Sequence, residues 1–126
     1  MEFEFFIGID VSKNELDFSI HQGKTFLFHK EIINDPEEIN ALLKELGKLK
    51  DFCMNKAIFC LEHTGIYSNH LLSCLYKKKA NICLESASQI KKSLGNLRGK
   101  NDKVDSMRIA TYAYKNRDDL RLWSPR

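Results

Sequence analysis

Asp10, Glu62, Asp102 and Asp105, with Arg98, Lys100, Lys103 and Arg108 interleaved around the last two, are the residues of this 126-residue chain whose types and spacing could do chemistry together. Acids that share one cleft repel one another unless cations intervene. Hard oxygen ligands of this kind suit Mg2+ or Mn2+, as one ion or as two spaced about 4 Å apart. Such ions can activate a nucleophile and stabilise the leaving oxygen of a phosphodiester, while neighbouring Lys and Arg side chains meet the phosphate backbone. Each acid also has a plainer reading: Asp10 as a turn residue, Glu62 as a helix-cap partner, Asp102 and Asp105 as ordinary acids in the first turn of a helix. The shared reading depends on where the elements place them.

The stretch from Glu2 to Lys13 alternates Phe3, Phe5, Ile7 and Ile9 with Glu2, Glu4, Phe6, Gly8 and Asp10, the period-two pattern of a strand with one fully buried face. Asp10 closes it on the face of Gly8, where the missing side chain lets something approach the backbone. Leu16, Phe18 and Ile20 alternate with Asp17, Ser19 and His21 as a second strand. Gln22-Gly23-Lys24 then turns the chain into a third, Thr25 to Ile33. Asn34-Asp35-Pro36-Glu37-Glu38 is a helix start, with a cap, a proline at the first turn and acids at the positive end of the dipole. Ile39, Leu42, Leu43, Leu46 and Leu49 give this helix one apolar face, ending near Lys50.

Ala57 to Leu61 is a short unbroken apolar run, expected of a central parallel strand, and it ends in Glu62. Thr64-Gly65 opens a second helix with Ile66, Leu71, Leu72 and Leu75 inward and Lys77, Lys78 and Lys79 at its negative end. Ala80 to Leu84 is a fifth strand, Ser86 or Ser88 caps a helix through Leu94, and Gly95 to Lys100 is a glycine-rich basic loop. A last helix runs from Asn101 or Asp102 to about Asn116, with a tail from Leu120. Right-handed crossovers then give an α/β architecture, a mixed five-stranded sheet in order 3-2-1-4-5 with helices packed on it. Adjacent strands about 4.8 Å apart bring Asp10 and Glu62 close enough to share an ion. The end of the first strand is also where the connection direction changes, the place where α/β folds bind ligands. Asp102 and Asp105, three apart, lie on one face of a helix that packs back across this edge.

Composition restricts the partners. The chain is 43% hydrophobic and 29% charged, as in a soluble domain, and has neither a membrane-length apolar run nor a signal peptide, so it is expected to be cytosolic. Residues 1–76 hold 7 Lys/Arg against 12 Asp/Glu, a net of −5, and residues 77–126 hold 13 against 5, a net of +8, so the second part is the one suited to a polyanion. Cys53, Cys60, Cys74 and Cys83 form no CxxC pair and read as small buried thiols. His70 and Cys74 are four apart on a helix without a second pair to complete a zinc site. Ser12 reads as a turn hydroxyl; Tyr112, Tyr114 and Trp123 suit base stacking or core packing, and Tyr67 suits helix packing near Glu62.

Three segments carry a family likeness. Gly8-Ile9-Asp10-Val11-Ser12-Lys13 with Leu16-Asp17, then Leu61-Glu62-His63-Thr64-Gly65-Ile66-Tyr67, then Lys100-Asn101-Asp102-Lys103-Val104-Asp105-Ser106 with Ile109-Ala110, resemble the signatures of the DEDD transposases of bacterial insertion sequences, relatives of the Piv-type DNA invertases. Order, spacing and flanking residues agree over nearly the whole chain, although His63, Asn101 and Ser106 stand where proline or a small residue, threonine and alanine are common. The resemblance implies an RNase H-like, RuvC-type nuclease domain over residues 1–126, with Asp10, Glu62, Asp102 and Asp105 as the catalytic and metal-binding acids. It also implies Mg2+ or Mn2+ as cofactor, DNA and a structured guide RNA as partners, and a nucleoid-associated setting in the bacterial cytoplasm. In that family a further carboxyl-terminal domain supplies a serine nucleophile, and a homo-oligomer is expected of the full-length protein. Residues 1–126 are therefore expected to be an amino-terminal fragment that does not complete recombination alone. Two other readings stand beside it: half of a sugar-kinase or actin-like ATPase, which also begins with a strand, Gly, Asp and a hydroxyl residue, and a non-catalytic module that binds nucleic acid or another protomer.

Overall fold

In the computed structural model, which describes residues 2–63, 65–86, 89, 90 and 102–125 with the side chain at 102 excepted, the first strand, β1 (Phe5–Val11), lies in the middle of the sheet. β2 (Glu15–Gln22) pairs with it antiparallel and β3 (Thr25–Ile33) antiparallel to β2; β4 (Ala57–Glu62) runs parallel to β1 and β5 (Asn81–Glu85) parallel to β4. The order is β3-β2-β1-β4-β5, as the sequence predicts.

One apolar layer joins Phe5, Ile7, Ile9, Leu16, Phe18, Ile20, Phe59 and Leu61 to the helices α1 (Pro36–Leu46) and α2 (Asn69–Lys77). A second layer on the other face joins Phe6, Ile58, Cys60 and Cys83 to Ile109, Tyr112 and Ala113 of α3 (Asp102–Lys115). β1 is thus buried on both faces, not one, because α3 covers the face that carries Phe6 and Gly8.

α1 starts as read: the Asp35 carboxylate accepts the Glu38 N–H at 2.9 Å, and Pro36 occupies the first turn. It stops at Leu46, short of Lys50, because the chain tightens into i to i+3 bonds, Lys48 N–H to the Glu45 carbonyl and Leu49 N–H to the Leu46 carbonyl. The second helix also begins later than expected. Gly65–Ser68 form a single 3-10 turn entered through Gly65 at φ +69°, which leaves Ile66 exposed rather than inward; Leu71, Cys74 and Leu75 carry the packing of α2. The expected helix through Leu94, the loop Gly95 to Lys100, Thr64 and Asn101 lie wholly or largely outside the described residues.

Candidate metal centre at the carboxyl rim of the sheet

The strand registers fix where the first two acids stand. Ile9 is the partner of Leu61, so Asp10 and Glu62 are the next step along two neighbouring parallel strands, at the same end of the sheet. Alternation puts Asp10 on the face of Phe6 and Gly8 and Glu62 on the face of Ile58 and Cys60, which is the face covered by α3. Both side chains are partly exposed, as acids at a rim are.

The same row contains acids that sequence reading did not single out. Asp10 is paired in register with Asp17, Asp17 with Glu31, and Glu62 with Glu85. All five, Glu31, Asp17, Asp10, Glu62 and Glu85, lie on the α3 face, so a line of carboxylates crosses the sheet with one acid per strand. Asp17 is 2% exposed, and its Oδ1 accepts from His29 Nε2 at 2.7 Å. A signal for Asp17 does exist in the sequence. The turn closes with the Ser12 N–H and Oγ both donating to the Glu15 carbonyl, and a hairpin closed there sets Asp17 opposite Asp10. Glu31 is harder to find, since a register shift between Ile20 and His21 intervenes.

α3 is laid across β1 at Gly8. A Cβ at Gly8 would lie 2.1 Å from the Ser106 carbonyl oxygen and 2.3 Å from the Ala110 nitrogen, so backbone rests on backbone there. One flank of α3 faces the end where β1 begins: Lys103 Nζ lies 5.7 Å from the centre of the Phe26 ring, and Tyr114 meets Phe6 edge-on at 5.3 Å. Tyr112 lies on the other flank, where it lines a polar cleft of about 450 Å3 with Glu85, Gln89 and Asn116. Position 105 lies seven residues before Tyr112, at helical spacing, and so shares that second flank, the one turned toward Glu85 at the carboxyl end of β5.

The cations divide. Lys103 is exposed, whereas Arg108 is mostly buried, its side chain 14% exposed and its Nη1 3.8 Å from Asp105 Oδ1. Arg98 and Lys100 lie outside the described residues, and of Asp102 only the backbone position, the first of α3, is described. Among the described residues no three His, Cys, Asp or Glu side chains gather tightly enough to hold an ion. The donor chemistry nevertheless fits a hard divalent cation, because the row offers a carboxylate on each strand, His29 is already bound to Asp17, and the buried Cys83 thiol is turned to Glu85 as a donor.

Burial tunes the surroundings. The Tyr112 phenol is pushed up to about 12, first by burial and then by the negative charge of Glu85. Burial lowers His21, whose Nε2 is 2.8 Å from Ser19 Oγ on the α3 face of β2. Cys60 and Cys83 stand opposite one another and are buried; their mutual hydrogen bond, then burial, raises the Cys60 thiol well above its ordinary range, so it is no nucleophile. Tyr112 and Tyr114 are packing residues in the layer under α3, and Trp123 packs on the other layer, its backbone N–H donating to the Ile82 carbonyl at 2.7 Å.

An α/β sheet in this order, with a last helix crossing its first strand at Gly8, is the RuvC-type RNase H-like fold. Thermus thermophilus RuvC in complex with a Holliday junction substrate superposes with a TM-score of 0.67 at 12% identity, over 93% of this chain and 98% of that one. A second Thermus thermophilus RuvC structure gives a TM-score of 0.64, also at 12% identity and over 93% and 98% of the two chains. No curated protein matches the chain. The DEDD_Tnp_IS110 family model, described as a transposase, matches residues 7–126, and the chain belongs to that family. This membership separates it from the ATPase half that its first strand also resembles.

Proposed function

We propose that this chain is the DNA-cleaving domain of a transposase, with Asp10, Glu62, Asp102 and Asp105 holding one or two divalent cations, Mg2+ or Mn2+. The observation that carries the reading is the pairing of Ile9 with Leu61, which sets Asp10 and Glu62 side by side at the rim toward which one flank of α3 turns. Two strands and one helix, drawn from opposite ends of the chain, then contribute to one site. When bound, the cations would supply an activated nucleophile and stabilise the leaving oxygen of a phosphodiester. The protein's part is to hold the acids on rigid strands and helix, so that little reorganisation is needed on binding. Arg98, Lys100, Lys103 and Arg108 supply positive charge for the DNA backbone, Lys103 from the flank of α3 that faces the end where β1 begins. A structured guide RNA, a further carboxyl-terminal domain with a serine nucleophile, and assembly of protomers complete the reading as the family likeness supplies it, with the domain alone unable to finish recombination.

The test has two parts. A cation that binds only the folded chain stabilises it by about 2.7 kcal/mol at a hundred times its Kd, so millimolar Mg2+ or Mn2+ should raise Tm by several degrees. Asp10→Asn should remove that rise. With the full-length protein, nicking of a supercoiled plasmid should require the metal and vanish in Asp10→Asn and Glu62→Gln. A melting temperature indifferent to both ions would overturn the metal site; nicking that survives both substitutions would overturn the assignment of the acids.

A further inference from the structure

Asp17 has no place in the four-acid set, yet it is the most deeply buried carboxylate of the row, 2% exposed and directly opposite Asp10. Directly opposed residues on one face of an antiparallel pair have Cβ atoms about 4.5–5.5 Å apart, and like charges so placed destabilise the sheet. A buried acid is normally tolerated only with a partner. Here His29, two residues along β3 from the position opposite Asp17, reaches back across the strand and sets its Nε2 at 2.7 Å from Asp17 Oδ1. A carboxylate only accepts, so Nε2 carries the donated hydrogen and Asp17 is fixed as the acceptor. Ser19, the next residue on the same face of β2, shows that a small neutral side chain is accommodated under α3, so burial alone does not call for an acid at position 17.

We infer that Asp17, held by His29, is a positioning residue for the rim: it adds a fixed negative charge across from Asp10 and thereby tightens divalent-cation binding. This rests on the reading of Asp10 as a metal ligand. The repulsion that the pair adds to the empty rim is relieved when a cation arrives, so the binding constant gains what the unbound sheet loses. Residues that act behind a metal ligand commonly change affinity by roughly 10–100-fold.

The test is a calorimetric titration of the 126-residue chain with Mn2+ and Mg2+, beside thermal melts without metal. Asp17→Asn should raise Kd about tenfold while leaving the metal-free Tm unchanged or higher, a combination that loss of packing does not produce. His29→Gln, which keeps a donor for Asp17, should bind with nearly parental affinity, and His29→Ala should bind several-fold more weakly. Parental Kd in Asp17→Asn overturns the inference; if that variant does not fold, parental Kd in His29→Ala does so. Loss of binding in Asp10→Asn together with parental Kd in Asp17→Asn removes this inference and leaves the metal site standing. A parental chain that binds neither ion removes both.

Discussion

Tyr112 lies on the flank of α3 that turns toward Glu85, and its phenol is displaced upward. In an unfolded chain its phenol ionises near 10; in the folded one burial, then Glu85, push it up to about 12. The folded state holds this proton more tightly, so the associated stability is fully present below about pH 10 and is lost as pH rises toward 12. Tyr112→Phe should flatten that part of the decline, seen as a denaturant midpoint that falls less steeply over the same window. An unchanged slope would assign the alkaline loss to other groups. At this scale the sequence was a good guide where a residue type has few uses and a poor one where it has many. Asp10 and Glu62 stood out because each ends an apolar strand, whereas Asp17 and Glu31 sit inside ordinary alternating patterns that do not distinguish a solvent acid from one under a helix.

Among the elements, α3 is the one on which the site depends. Its contact with β1 at Gly8 leaves no space for even a methyl group, the nearest atoms being backbone. Gly8→Ala should therefore cost about 1–3 kcal/mol and lift the acid-bearing helix from the rim. Urea denaturation gives the first effect, and a weakened metal-induced rise in Tm gives the second; an alanine variant as stable as the parent would mean that α3 does not dock as described. The sheet order was legible because two turns and two crossovers allow few alternatives. The register of β3 was not, because the irregularity between Ile20 and His21 shifts the ladder by one. Counted from the Gly23 turn without it, Asp17 would face Lys30 rather than Glu31. The entry to α2 failed for a similar reason: Ile66 fits a helical stripe by spacing, but a 3-10 turn with three residues per turn points it outward.

For the molecule as a whole, the separation of charge along the sequence is the property that matters to a polyanion. Residues 77–126 carry 13 Lys/Arg against 5 Asp/Glu, while the acid row is drawn chiefly from the strands before them. Binding of duplex DNA should weaken linearly in log Kd against log salt, with a slope of about 0.9 per phosphate neutralised. Lys103→Ala should reduce that slope by about 1 in a fluorescence-anisotropy titration. A slope insensitive to the substitution would take Lys103 out of the DNA contact. No helix among the described residues is long and apolar enough to cross a membrane. The acid row has a mechanical meaning too. Five like groups, one on each strand, stand in a line across the ladders of one end of the sheet, where directly opposed like charges weaken the pairing. A bound ion would act there as a clasp, drawing together strands that the acids alone push apart.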